Sequence, residues 1–133
     1  MPIELIAILA GAVLLLVLIN LNQRRMSPLD PKYYAKKWGD VKVLSRTSAA
    51  GGRLAVIEAD KLLDRSLKDL RFAGETMADR LKTAKPSLGN VDAVWDAHRL
   101  RNRLVHEDVH PKPAKLRSSL KAYEAALRKL GAL

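Results

Sequence analysis

The chain contains no cysteine and only a few aromatic residues. Without cysteine, neither a disulfide framework nor thiolate chemistry is possible. The aromatic side chains are too sparse for a base-stacking platform of the RRM or OB type. They are Tyr33, Tyr34, Trp38, Phe72, Trp95 and Tyr123. Walker, GxGxxG and HExxH patterns are absent, and no stretch shows the alternation of apolar and polar residues that predicts strands. With 133 residues, the chain has room for one small domain and an anchor, but not for a Rossmann unit or a barrel.

Positive charge dominates what is present. The chain carries 24 Lys and Arg residues against 14 Asp and Glu residues, a formal net charge of +10. Such an excess favours polyanionic partners, which here means nucleic acid or anionic lipid headgroups.

The N-terminal region is an uncharged apolar run over residues 5–19, which Ile3 and Leu21 extend. Its length approaches the ~17–25 residues that a membrane-spanning helix needs, so we predict a transmembrane anchor at residues 1–23. A cleaved signal peptide is the alternative. Against it, the residues before the run include Glu4 but no Lys or Arg, and no Ala-x-Ala site follows the run. The run ends in a stop-transfer pattern made of Asn20, Asn22, Arg24 and Arg25.

Residues 24–50 are predicted to be a basic juxtamembrane segment and linker. The positive-inside rule places this segment and the domain after it in the cytoplasm, with the N-terminus outside. The predicted location is a bacterial-type inner (plasma) membrane that the chain crosses once. The same basic side chains could also bind anionic lipid headgroups. The membrane-proximal basic residues are Arg24, Arg25, Lys32, Lys36 and Lys37.

Helical periodicity predicts an all-α fold. A short helix is expected near 32–44, and the small, polar residues 45–52 are interpreted as a linker or a loose cap. The folded domain is placed at 51–133. Its helices are expected at about 53–70, 75–84, 91–106 and 114–130. Short connections between four amphipathic helices indicate an antiparallel four-helix bundle.

A compact basic cluster, Arg101-Asn102-Arg103-Leu104-Val105-His106, ends the third of these helices. Histidine titrates near neutral pH and suits a general base or acid, while arginine stays charged and matches phosphate oxygens. Asn102 lies one turn before His106, whereas Arg101 is rotated ~140° away from it. Two copies related by a two-fold axis could bring both groups onto one target. These side chains could support RNA cleavage by 2′-OH attack without a metal.

The Arg-x4-His spacing, with Arg101, Asn102 and His106 at its positions, resembles the motif of the HEPN superfamily. The region 51–133 also looks like a HEPN domain in its number of helices. The resemblance implies a HEPN-like four-helix bundle and a homodimer with a composite active site. It also implies metal-independent RNA cleavage that leaves 2′,3′-cyclic phosphate ends, as in family members that act as toxins or in defence against phage. Other members are non-catalytic modules that bind RNA, nucleotide or a partner protein, which is the alternative here. No cofactor is expected.

Several of these residues have simpler interpretations. Arg99 and Arg103 are candidates for binding RNA phosphates, but the helix dipole also favours basic residues in the last turns of a helix. Arg101 could instead pair with Asp96, Glu107 or a carboxylate on the 53–70 helix.

The remaining polar residues are assigned no catalytic role. His98 is expected at the edge of the core and His110 in a loop. Together with His106 they fit no standard ligand spacing, so no metal site is predicted. Asp60 and Asp64 are interpreted as part of a solvated face, because basic residues lie between and after them.

Overall fold

The computed structural model of the protein describes residues 2–25 and 28–133, without the side chains of residues 23–25. This part of the chain is all-helical and has no strand, which confirms the expected all-α class. The elements are α1 (Ile3–Arg25), α2 (Pro31–Thr47), α3 (Ala49–Asp69), α4 (Met77–Ala84), a 3-10 turn (Lys85–Ser87), α5 (Val91–His106) and α6 (Pro113–Lys129).

Helix α1 carries no charged or polar side chain over residues 5–19, so this stretch is apolar on every side. Its stretch Ile3–Asn22 has 20 residues with a mean hydropathy of 2.6, and none of it is buried against the rest of the protein. A helix of this length and composition can cross the hydrocarbon core of a bilayer. Within the described ranges, it is the one helix that meets this test.

Helix α2 belongs to the folded core. Its N-terminus is capped by Asp30, whose carboxylate accepts hydrogen bonds from the backbone N–H groups of Lys32 and Tyr33 at 3.0 and 3.4 Å. Leu29, just before the cap, is also buried. The predicted short helix is therefore present and extends to Thr47. Its inward face repeats at helical spacing and consists of Tyr34, Trp38 and Val41.

The expected linker at 45–52 is instead the last turn of α2, a one-residue break and the first turn of α3. At the break, Ser48 adopts an extended conformation and its hydroxyl accepts the Gly51 N–H at 3.0 Å. A Cβ atom on Gly51 would collide with the carbonyl oxygen of Leu44 and the side chain of Thr47. The glycine therefore permits a close approach between the two helices rather than a flexible connection.

Helix α3 is the centre of the fold and contacts α2, α4, α5 and α6. Tyr34 near the start of α2 reaches Asp69 at the end of α3, so these two helices run antiparallel. The apolar core draws on all five helices after α1 in the described part of the chain, one more than the four expected. The extra helix is α2, because its aromatic face packs along α3.

The other helix boundaries lie close to their predicted positions. The predicted helix 91–106 is confirmed at both ends, and Asn90 caps it by accepting the Ala93 N–H at 3.2 Å. Helix α6 begins and ends one residue before the prediction. Helix α3 begins four residues earlier than predicted and ends at Asp69, two residues before Arg71, which adopts a left-handed backbone (φ 61°). Thr76 and Asp79 form a capping box at the start of α4.

Candidate functional site

The motif residues lie in the last two turns of α5. Arg101 and Asn102 are partly buried neighbours, and Nη1 of Arg101 donates a hydrogen bond to Oδ1 of Asn102 at 3.0 Å. His106 is the last residue of α5 and is exposed. Among the described residues, no hydrogen bond or ion pair holds its ring. One copy of the chain therefore brings Arg101 and Asn102 together and leaves His106 apart.

A buried carboxylate on α3 lies beside Arg101. Asp60 is only 3% exposed, and its Oδ1 is 2.8 Å from both Nδ1 of His98 on α5 and the hydroxyl of Tyr123 on α6. Its second oxygen, Oδ2, lies 3.5 Å from Nε of Arg101. Because an ionised carboxylate only accepts, His98 and Tyr123 donate to it in that state. We call these four residues the Asp60 network; it joins α3, α5 and α6.

The chemistry of Tyr123 follows from this environment. Its side chain is fully buried, and burial raises the pKa of the phenol far above its usual value. The negative charge of Asp60 and the hydrogen bond to it raise this pKa further. Tyr123 therefore stays protonated, and it donates to Asp60 whenever the protein is folded at physiological pH.

The guanidinium of Arg101 is approached by Asp60 at Nε and by Asn102 at Nη1. Its Nε is buried and makes no hydrogen bond to the described residues, so the 3.5 Å approach to Asp60 is an ion pair rather than a hydrogen bond. The side chain is 26% exposed. Since Nε is buried, that exposure belongs to other parts of the side chain. The pairing of Arg101 with a carboxylate on the 53–70 helix, considered from sequence, is present.

The prediction that Asp60 and Asp64 lie on a solvated face of α3 was wrong for Asp60 and largely wrong for Asp64. Lys61, Arg65 and Lys68 do point outward, but positions 60 and 64 lie beside the buried face of the helix. The Asp64 side chain, 18% exposed, accepts from Nε and Nη2 of Arg80 at 2.7 and 3.1 Å.

Ionisation of Asp64 is controlled by two opposing effects. Burial disfavours the charged carboxylate, but the hydrogen bonds and charge of Arg80, with help from Lys68, outweigh it and lower the pKa of Asp64. Arg80 also donates from Nη1 to the carbonyl of Gly74 at 2.8 Å. In this second carboxylate–arginine pair, all three guanidinium nitrogens of Arg80 donate within the protein: Nε and Nη2 to Asp64, and Nη1 to the Gly74 carbonyl.

Arg99 and Arg103 lie on the exposed side of α5, each in a local ion pair. Arg99 pairs with Asp96 at 3.1 Å, and Arg103 pairs with Glu107 at 3.3 Å. Such exposed pairs are held weakly, so they do not block either arginine from a phosphate. Their binding of RNA stays a prediction.

The membrane-proximal basic residues are only partly visible in the structure. Lys32, Lys36 and Lys37 are exposed on the first turns of α2, and Lys36 pairs with Asp40 at 3.4 Å. Nζ of Lys37 lies 5.8 Å from the centre of the Tyr33 ring, within reach of a cation–π contact. The side chains of Arg24 and Arg25 lie outside the described residues.

Sequence reasoning missed Asp60 as a site residue, and with it the roles of His98 and Tyr123. His98, expected at the edge of the core, is buried. A signal for Asp60 was present, because it continues the spacing of the buried residues Val56 and Leu63 along α3. The partners could not be found this way, since they are 38 and 63 residues away in the sequence.

Comparison with known protein families, with curated proteins and with solved structures finds no match for this chain.

Proposed function

We propose that this chain is a membrane-anchored, HEPN-like endoribonuclease that cleaves RNA without a metal at a composite site formed by two copies. The observation that supports it is the end of α5. There a partly exposed Arg101, bonded to Asn102, stands five residues before the exposed His106. These groups supply a fixed positive charge for phosphate and a titratable group for proton transfer.

The proposed reaction is an attack of the ribose 2′ oxygen on the adjacent phosphorus. His106 takes the 2′ proton as general base, and a bond forms between the 2′ oxygen and phosphorus. The bond from phosphorus to the 5′ oxygen breaks, and the 5′ oxygen takes a proton from the protonated His106 of a second copy. Arg101 neutralises the charge that develops on the non-bridging oxygens. The products are a 2′,3′-cyclic phosphate and a 5′-hydroxyl.

The need for a second copy follows from helix geometry. Five residues along a helix separate Arg101 from His106 by ~7.5 Å of rise and ~140° of rotation, so one helix points them in different directions. A two-fold axis beside α5 would face the Arg101 of one copy towards the His106 of the other. The proposed enzyme is therefore a homodimer.

In the proposal α1 spans a bacterial-type inner membrane, and the helical domain lies on the cytoplasmic side. The apolar surface of α1 and its stretch of 20 residues support the anchor. The basic residues near the anchor support the orientation, and the exposed Lys32, Lys36 and Lys37 would contact anionic headgroups. The proposed substrate is single-stranded RNA that reaches the inner leaflet.

The test uses the full chain in detergent micelles with single-stranded RNA and EDTA. We expect His106→Gln to lower the cleavage rate by at least ~100-fold, the scale of general acid–base catalysis. The matched control is His110→Gln, which changes an exposed histidine in the loop between α5 and α6 and should leave cleavage unchanged. Equal cleavage by the parent and His106→Gln, or ends without cyclic phosphate, would contradict the proposal.

A second function is favoured by one observation. Arg101 already forms an ion pair with Asp60, so its charge is partly neutralised within the protein before any RNA binds. On this view the chain is a non-catalytic helical module at the membrane that binds RNA, nucleotide or a partner protein. It predicts RNA binding with no cleavage in the same experiment.

A further inference from the structure

Two hydrogen bonds fix the orientation of the Asp60 carboxylate relative to Arg101. Oδ1 receives both His98 and Tyr123 at 2.8 Å, so the carboxylate cannot rotate without losing two short hydrogen bonds. Oδ2 is left facing Nε of Arg101. The three helices that supply these residues pack directly on one another.

We infer that Asp60 is the positioning residue for the guanidinium of Arg101, so that the terminal nitrogens of Arg101 meet an RNA phosphate. His98 and Tyr123 fix the carboxylate that does this. The inference rests on the proposed function and names the residues that prepare its arginine.

The planar fork of arginine explains why one edge matters. With Asp60 at Nε and Asn102 at Nη1, the groups left to receive a phosphate are Nη2 and the second hydrogen of Nη1. Asn102 accepts one hydrogen from Nη1, which fixes the rotation of the guanidinium further. Arginine held this way loses less freedom when it binds phosphate than an unrestrained side chain would.

The second carboxylate of α3 provides an internal contrast. The Arg80 side chain is 9% exposed. Its Nε and Nη2 donate to Asp64, and its Nη1 donates to the Gly74 carbonyl. Arg101 is 26% exposed and makes no hydrogen bond to its carboxylate, which lies 3.5 Å from Nε. A side chain that only neutralised Asp60 would gain from a paired contact like that of Arg80. The looser contact of Arg101 instead leaves Nη2 and one hydrogen of Nη1 available as donors.

The experiment is a double-mutant cycle in the full chain in detergent micelles. Asp60→Asn preserves shape and an acceptor for His98 and Tyr123, but removes the charge that faces Arg101. Binding is measured with a 2′-O-methyl single-stranded RNA, which cannot undergo 2′-OH attack, and cleavage with unmodified RNA in EDTA. We expect Asp60→Asn to lower cleavage by up to ~100-fold, the cost of misplacing a reacting group by about an ångström. In an Arg101→Lys background, the same change should have no further effect.

The matched control is Asp64→Asn, which alters the other carboxylate–arginine pair on α3. Its effects should be the same in both Arg101 backgrounds, because it does not act through Arg101. Tyr123→Phe is the milder second variant and keeps the test decisive if Asp60→Asn fails to fold. It should lower binding and cleavage less than Asp60→Asn, and again only where Arg101 is intact.

The outcomes separate the two claims. Equal losses from Asp60→Asn and Tyr123→Phe in both Arg101 backgrounds, with cleavage intact in the parent, would overturn the positioning role and leave the nuclease standing. Coupled losses in binding without any cleavage would overturn the nuclease and support the positioning of Arg101. A parent chain that neither binds nor cleaves RNA would overturn both.

Discussion

Two aspartates lie one helical turn apart on α3, Asp60 buried and Asp64 partly exposed, and they are neutralised in different ways. Asp64 faces α4 and forms a two-bond pair with Arg80. Asp60 faces α5 and α6 and is held by a histidine, a tyrosine and one edge of Arg101. In the first arrangement every guanidinium nitrogen of Arg80 donates within the protein. In the second, Arg101 of the proposed nuclease motif stays partly exposed. Two carboxylates of the same type on one helix can thus serve different purposes, according to which helices supply their partners.

The largest difference should appear when each carboxylate is removed. Asp60→Ala leaves three donors around a buried hole, so we expect a loss of about 3–5 kcal/mol in the free energy of unfolding. Asp64→Ala should cost about 1–3 kcal/mol, because water reaches this side chain and Arg80 keeps its bond to the Gly74 carbonyl. Urea unfolding of the full chain in non-ionic micelles, followed by tryptophan fluorescence, measures both. Equal losses, or a larger one for Asp64→Ala, would break the distinction between the two sites.

Removal of one hydroxyl tests whether Asp60 depends on Tyr123. Tyr123→Phe should cost about 1.5–3 kcal/mol, the range for a hydrogen bond to a charged group. Tyr34→Phe is the matched control, since the Tyr34 hydroxyl donates to Asp69 at 2.6 Å. The control should cost less, because Asp69 is more exposed and keeps its ion pair with Arg65. The same urea titration compares them, and a cost for Tyr123→Phe no greater than the control would show that Asp60 does not depend on the Tyr123 hydroxyl.

The pH dependence of stability isolates Asp64. Its folded pKa lies below the ordinary value of 3.8, so its contribution is complete above that value and is lost as the pH falls through the lowered pKa. Asp64→Asn should therefore flatten the fall in stability on the acid side of pH 3.8. Unfolding free energies measured between pH 5 and about 2 test this, by the linkage between protonation and stability. If Asp64→Asn showed the same dependence of unfolding free energy on pH as the parent, the lowered pKa would belong to a group other than Asp64.

The smallest expected effect is that of Lys68, whose Nζ lies 3.3 Å from Asp64. Its side chain is exposed, so Lys68→Ala should change the unfolding free energy by less than ~1 kcal/mol. The loss should also shrink in 1 M salt, where exposed pairs are screened. A salt-insensitive loss as large as that of Asp64→Ala would show that Lys68, rather than Arg80, is the main partner of Asp64.

Local patterns predicted much of the fold. The spacing of apolar residues and the Asn90 cap place α5 correctly, because both signals lie within the helix itself. The Gly51-Gly52 pair was misinterpreted as a linker, since the sequence does not reveal that Leu44 and Thr47 approach too closely for a Cβ atom. The Asp60 network was missed for a related reason. The burial of an aspartate depends on partners that only the packing of three helices brings together.

The short connection between α1 and α2 limits where the proposed enzyme can work. Residues 26–30 join the two helices, and a fully extended chain of this length reaches at most about 18 Å. Leu29 and Asp30 are already tied to the folded core, as a buried side chain and as the cap of α2. With α1 in a bilayer, this short connection would confine the domain to a thin layer at the membrane surface. Two copies would then meet by diffusion in two dimensions, at an effective concentration far above their bulk value. A dimer too weak to form in dilute solution could still assemble there, and cleavage would be restricted to RNA that comes to the membrane.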